Sequence, residues 1–304
     1  MAAYGWRRRP GFRTSVPSLL AALATEMGNG TGWGRRGALW PTVVLLAAAW
    51  ILTTGPAAAA GVLLEDLTWT ELQARIGAGA TTALLPVGGT EQSGPHMALG
   101  KHNVRVRLLA ARIAERLGDA IVAPVLAYVP EGGIDPPTQH MRWPGTISVP
   151  VPAFEAVLEA GARSLCRAGF RHVFLLGDHG GYAASLQRVA TRLRGAQGAT
   201  APCRVQALDE YYRAAQEPFQ QALAERGLSR AEIGSHAGVA DTSLMLALDP
   251  SLVRLDLAAA RPTSAADGVS GDPRRSSAEL GRLGVDRIVD TSVAAVRERI
   301  LKPR

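Results

Sequence analysis

The chain of 304 residues lacks most of the features that announce a function class. Two cysteines, Cys166 and Cys203, cannot build a disulfide-rich scaffold, and no C-x-x-C pair is present to hold zinc. They permit one bridge in an exported protein. Cys166 falls on a helix face with Val157, Leu158 and Leu165, where a buried free thiol is at least as good a reading. The formal charge of +7 does not describe a basic surface. Six Lys/Arg and one acid lie in residues 1–60, which leaves 27 basic and 25 acidic residues for the rest. A nucleic-acid binder needs a basic stripe in its folded part, so nucleic acid is not an expected partner. Residues 61–304 contain no repeat of fixed period and no low-complexity linker, which argues against a solenoid and against two domains.

What is present begins with a leader. Arg35-Arg36 precede an apolar run over residues 38–52, followed by Thr53-Thr54-Gly55-Pro56 and alanines 57–60. A positive region, a short apolar region and an A-x-A site make a secretory signal peptide. The run is shorter than the roughly 20 residues that span a bilayer, and no later stretch is long enough. Residues 1–60 therefore read as an N-terminal extension and signal, with Met27 as an alternative start. The expected location is periplasmic or secreted, with membrane contact only through the signal, as an anchor if it is uncleaved.

From residue 61 onward, apolar strands alternate with amphipathic helices, and 47% hydrophobic residues suffice for a packed core. The pattern predicts helices over 69–76, 104–117, 152–168, 183–193, 243–248 (begun near Asp241) and 281–300. Strands are expected over 82–87, 120–128, 172–176 and 203–208. Such alternation implies βαβ units and a mostly parallel sheet covered on both faces, a single-domain three-layer α/β/α fold. The Pro/Gly-rich stretch 130–152 is long for a loop in a compact domain, and such loops are usually functional.

Chemistry-bearing residues gather where strands end, which is where open α/β sheets bind ligands. Glu91 follows the strand over 82–87 through the Gly88-Gly89-Thr90 turn. His96 and His102 continue the same loop, before the helix expected at Val104. His179 ends a second strand and is followed by Gly180-Gly181. His236 and Asp241 come from a third segment. Carboxylates and imidazoles from several strand ends suit zinc or a similar divalent ion. Each also has a plain alternative: Glu91 as a solvated acid, His96 as a turn cap, Asp241 as a helix cap, His140 as a structural hydrogen bonder.

The motifs themselves resemble the creatininase family of creatinine amidohydrolases and relatives. They are Leu85-Pro86-Val87-Gly88-Gly89-Thr90-Glu91-Gln92-Ser93-Gly94-Pro95-His96, His140 to Ser148, Gly177-Asp178-His179-Gly180-Gly181, Ser235 to Ser243, and Gly268 to Arg274. They occur in the family's order and cover nearly all of residues 61–304. The resemblance implies the same α/β fold and a metal held by Glu91, His102 and His179. It also shows departures. His102 stands where the family has an aspartate that bridges two metals, Ser93 where it has a histidine, and Val239 where it has an acid, while Asp241 keeps the other acid of that motif. A single-metal centre is therefore expected, zinc first and manganese or iron as alternatives, with Asp241 completing it or acting on water.

His236 matches a histidine implicated in proton transfer. Ser93, His96, His140, Trp143, Gly180 and Gly181 are expected to line the pocket. The implied activity is metal-dependent hydrolysis of a non-peptide C–N amide bond in a small cyclic or formamide-type substrate, by a homo-oligomer that is hexameric in relatives. Two readings compete: a binding protein that keeps the fold without metal chemistry, and a peptidase for a modified peptide.

Overall fold

The computed structural model describes residues 61–197 and 202–302, all within one compact unit. The signal expected over residues 1–60 lies outside the described residues. In chain order the elements are α1 (Trp69–Gly77), β1 (Thr82–Val87), α2 (Lys101–Leu117), β2 (Ala120–Val122), α3 (Val151–Ala168) and β3 (His172–Gly177). There follow α4 (Ala183–Gln197), β4 (Arg204–Ala207), α5 (Asp209–Gln216), α6 (Pro218–Ala224), α7 (Arg230–Ile233), α8 (Val239–Leu248), α9 (Leu255–Ala260) and α10 (Ala278–Leu301). The four strands form one parallel sheet in the order β2-β1-β3-β4.

Successive strand residues face opposite ways, and both faces are buried. Leu84, Phe174 and Leu176 pack with α2, α5, α6, α8 and α10. Ala83, Leu85, Val87, Val173 and Leu175 pack with α3 and α4, and with Leu72 and Ile76 of α1. This is the three-layer arrangement that the alternation implied. Crossing of α8 and α10 depends on Gly281, where an added Cβ would collide with the Ser243 carbonyl oxygen.

Several boundaries differ from the sequence expectation for physical reasons. The strand expected to run to Tyr128 stops at Val122, because Pro124 has no N–H for the ladder; only Leu126 touches β1 again, through a bridge to Val87. Helix α2 starts at Lys101 and not at Val104, so His102 sits in its first turn and not in the loop. Helix α8 starts at Val239, which places Asp241 inside its first turn and not at its cap. The short helices α5, α6, α7 and α9 were not expected. Cys166 and Cys203 form a disulfide joining α3 to the residue before β4, so neither thiol is free.

Candidate metal centre

The sheet's C-terminal edge carries the site. Strand β1 ends at Val87 and turns through Gly88-Gly89. Gly89 has φ +149°, and a Cβ there would stand 2.5 Å from Glu131 Oε1, so the glycine leaves room for the acid that folds over it. Strand β3 ends in Gly177 and delivers Asp178 and His179. The Tyr182 hydroxyl fastens the two strand ends together. It accepts from the N–H groups of Asp178 and His179, both at 3.1 Å, and faces the carbonyls of Val87 (2.8 Å) and Gly88 (2.6 Å).

The long loop over 130–152 then closes on this edge. Ile147 N–H donates to Thr90 O (2.9 Å), Gln92 N–H to Thr146 Oγ1 (3.1 Å), and Glu131 N–H to Ser148 Oγ (3.0 Å). Those bonds bring Glu131 and His140 to Glu91 and His179. One donor atom from each of the four lies within 4.8 Å of the others. Glu91 and Glu131 are buried, and His140 and His179 are about one-fifth exposed, at 21% and 19%.

The electrostatics of the group are unfinished. Glu91 Oε2 and both oxygens of Glu131 are buried without a hydrogen-bond partner among the described residues, which costs roughly 1–3 kcal/mol per group, more when it is charged. Burial, and then the Glu91 charge, pushes the Glu131 carboxyl up to about 9. Burial also opposes ionisation of Glu91, but His102, Lys101 and His179 outweigh it and hold that carboxyl well below its usual range. Like charges this close cannot both ionise, so Glu131 keeps a proton. Burial lowers His140 and takes His179 down to about 4, so both rings are neutral near pH 7.

Two neutral imidazoles and two carboxylates are a fitting donor set for zinc or manganese. Glu91 Oε2 lies 3.3 Å from His140 Nε2 and 3.6 Å from His179 Nε2. Ligands about 2.0–2.2 Å from a tetrahedral ion sit roughly 3.3–3.6 Å from one another. The residues present therefore fit a divalent ion.

The other oxygen of Glu91 faces a different neighbourhood. Its Oε1 lies 2.7 Å from His102 Nε2 and 3.6 Å from Lys101 Nζ. His102 Nδ1 is 2.6 Å from Asp178 Oδ2. His102 thus sits between two carboxylates, one at each ring nitrogen, with Arg105 Nη2 3.2 Å from its Nδ1. Arg105 donates to Asp178 (2.8 Å) and Asp241 (2.6 Å), and the Tyr211 hydroxyl donates to Asp178 (2.6 Å). Burial disfavours charge on Asp178 and Asp241, yet Arg105 beside Asp178, and Lys101 and Arg105 beside Asp241, keep both below the usual carboxylate range.

The three residues of the expected ligand trio meet at Glu91, with His102 on its Oε1 and outside the four-residue group. Glu91 and His179 converge, Glu131 and His140 join them, and His102 stands beside the group as a hydrogen-bonded strut. Asp241 is held by Lys101 and Arg105, away from the four. Ser93 is buried with its hydroxyl unpartnered. His96 is buried, with Nε2 3.0 Å from Thr242 Oγ1. His236 borders the site, its Nδ1 3.7 Å from Glu91 Oε1 and its Nε2 3.0 Å from the Gln92 carbonyl. Burial, and then Lys101, takes its ring down to about 3. Gly181 donates to His179 Nδ1 (3.3 Å), a Cβ on Gly180 would press on Tyr212 Oη at 2.9 Å, and Trp143 lies half-buried under Arg142. Sequence reasoning gave no role to Glu131, Lys101, Arg105 or Asp178. The one signal for Glu131 was its position at the head of the long loop, before Gly132-Gly133.

Comparison with known proteins agrees with this architecture. The sequence profile of the creatininase family, described as creatinine amidohydrolase, matches residues 65–296. Creatinine amidohydrolase of Pseudomonas putida is 30% identical over 261 residues, 78% of this chain and 96% of the relative. Mycofactocin precursor peptide peptidase of Mycolicibacterium smegmatis is 31% identical over 233 residues, 71% of this chain and 78% of the relative. The crystal structure of a creatinine amidohydrolase superposes with a TM-score of 0.65 at 29% identity, covering 80% of this chain and 99% of that one. A manganese creatininase matches with a TM-score of 0.64 and a mutant of Zn-Zn type with 0.62, each at 30% identity and 80% coverage of this chain; the match covers 100% of the manganese chain and 99% of the Zn-Zn chain.

Proposed function

The chain belongs to the creatininase family, hydrolases of amide C–N bonds, and on that premise we propose that it cleaves a small amide with the help of one divalent ion. Zinc is the first choice of ion, with manganese or iron as alternatives, and Glu91, Glu131, His140 and His179 would hold it. The observation that carries the reading is the set of buried, unpartnered oxygens on Glu91 and Glu131 aimed at two neutral imidazoles. A divalent ion there supplies a Lewis acid for the amide carbonyl and lowers the pKa of water to about 7.

The chain's own residues do the rest. His102, fixed by Asp178, donates to Glu91 and holds its Oε2 toward the two imidazoles. His236 is neutral near pH 7; its Nε2–H donates to the Gln92 carbonyl, which leaves Nδ1 as a proton acceptor beside Glu91. It takes the proton released as water attacks the carbonyl. The protonated ring then donates to the leaving nitrogen. Asp241 Oδ2 accepts from Ala237 N–H at 2.9 Å and so fixes the turn that carries His236. His140 and Trp143 stand on the loop that would flank a flat cyclic or formamide-type substrate.

The mycofactocin peptidase relative supports a second reading, a modified peptide as substrate. The leader supports export, and family resemblance supports a homo-oligomer; N-terminal sequencing of the mature protein and sedimentation analysis test these two points. The test of function is elemental analysis of the purified protein followed by an amide panel: formamides, cyclic amides including creatinine, and a C-terminally modified peptide. Metal-dependent turnover of a small amide, lost in Glu91→Ala and His179→Ala, is the expected result. A protein that retains no metal under any loading condition is instead a binding protein on the same scaffold.

A further inference from the structure

Lys101 is out of character for this chain. The sequence has 31 arginines and two lysines, and one of those lysines has a fully buried side chain at the start of α2. Lysine is almost never fully buried unless it is paired. Its Nζ lies 3.3 Å from Asp241 Oδ2 and 3.6 Å from Glu91 Oε1. The ammonium therefore occupies a point between two carboxylates, one of which also faces the four-residue donor group.

The two oxygens of Glu91 divide the site. Oε2 has no hydrogen-bond partner among the described residues and looks toward His140 and His179. Oε1 is engaged by His102 and approached by Lys101. A carboxylate can bridge two cations, one on each oxygen. Here one side is open to an ion and the other already faces a protein cation. An ammonium is a compact point charge, whereas a guanidinium is a broad planar fork. Only the former resembles an ion in size, which explains a lysine where the chain otherwise uses arginine.

Resting on the metal-dependent reading above, we propose that Lys101 is a built-in counter-ion. It fills a latent second cation site between Glu91 and Asp241, and thereby limits the centre to one divalent ion. A lysine that merely anchored Asp241 would have no bearing on the number of ions, because Arg105 already holds that carboxylate at 2.6 Å.

The test is metal stoichiometry of the full chain by native mass spectrometry, with Mn²⁺ and Zn²⁺ each titrated into the millimolar range. Electron paramagnetic resonance of the Mn²⁺ form separates an isolated ion from an exchange-coupled pair. Wild type is expected to bind one ion, Lys101→Arg one, and Lys101→Met two, the last pair coupled through Glu91. Lys101→Gln keeps a hydrogen-bonding end for both carboxylates without the charge. It is expected to match the methionine form, and it serves if that form does not fold.

Two ions on the wild-type chain overturn the proposal and leave the hydrolase reading intact. A folded Lys101→Met or Lys101→Gln chain that still saturates at one ion also overturns it. No ion on wild type removes this proposal and the metal-dependent reading together.

Discussion

Two buried polar clusters meet at Glu91, and they are finished to different degrees. On one side, Asp178, Asp241, Arg105, Lys101, His102 and Tyr211 satisfy one another through charge-assisted bonds, short at 2.6–2.8 Å except for Lys101 to Asp241 at 3.3 Å. On the other, Glu91 Oε2 and both Glu131 oxygens find no hydrogen-bond partner among the described residues. The same helix and loop segments build both, so the difference is not one of packing quality. A completed network holds shape, whereas an incomplete one of like charges costs stability until something positive arrives. The contrast marks the first cluster as scaffold and the second as the working site.

Glu131→Gln gives the largest expected effect and tests the unfinished side directly. The amide is isosteric with the protonated acid, so the stripped protein should melt at an unchanged or higher temperature. Metal retention should collapse, and turnover should fall by more than about 100-fold, because groups that merely support a ligand already cost 10–100-fold. A variant that keeps its ion and most of its rate would show that the four residues are not the centre. Arg105→Leu tests the finished side. It leaves Asp178 and Asp241 without their main partner, and breaking a buried pair in this way costs about 3–5 kcal/mol. Thermal unfolding should register that loss with or without added metal. A drop confined to the metal-loaded protein would contradict the division.

The two clusters should also answer pH with opposite signs. Glu131 is raised from an ordinary 4.5 to about 9, so the unfolded chain releases this proton first as pH climbs. Its contribution to the stability of stripped protein is complete below about 4.5 and is lost on the way to 9. Asp178 and Asp241 are depressed, so what they contribute is present above the usual carboxylate range and lost on acidification. The depressed rings of His140, His179 and His236 act in the opposite direction up to about 6.5. Melting curves of stripped protein should therefore decline from about pH 7 toward 9, and a bound divalent ion should abolish that limb. The gap between loaded and stripped protein then widens with pH. Glu131→Gln should flatten the alkaline decline and leave the acid limb in place. An equal alkaline decline in that variant would assign it to another group.

Legibility in the sequence follows the same line. Strands β1 and β3 were readable because apolar runs end in glycine turns, and those turns carry Glu91 and His179 into the site. Helices α5 to α7 were not, since each covers only one or two turns, less than the roughly 11–18 residues over which helical periodicity stands out. Glu131 looks like any acid in a polar loop until bonds from residues 146–148 fold it over Gly89. Lys101 carries the least signal of all, for a lysine at a helix start is read as solvated. His102 was readable as important but not in its role, because only the tertiary fold reveals that both its nitrogens face carboxylates.

Tyr182→Phe is the smallest expected effect, and it probes the joint between the two sides. The hydroxyl serves four backbone groups at once, the N–H groups of Asp178 and His179 and the carbonyls of Val87 and Gly88. Removing it leaves the aromatic ring in the core beside Phe154, so packing is retained and only polar groups lose partners. A stability loss of about 1–3 kcal/mol is expected, the cost of buried donors and acceptors left unmade. Asp178 belongs to the finished cluster and His179 to the unfinished one. A loosened joint should therefore weaken metal affinity while the alkaline slope of stripped protein stays as it was. If calorimetry shows the loss of stability with metal affinity unchanged, the strand ends are held well enough by β1–β3 pairing alone, and the hydroxyl serves the fold and not the centre.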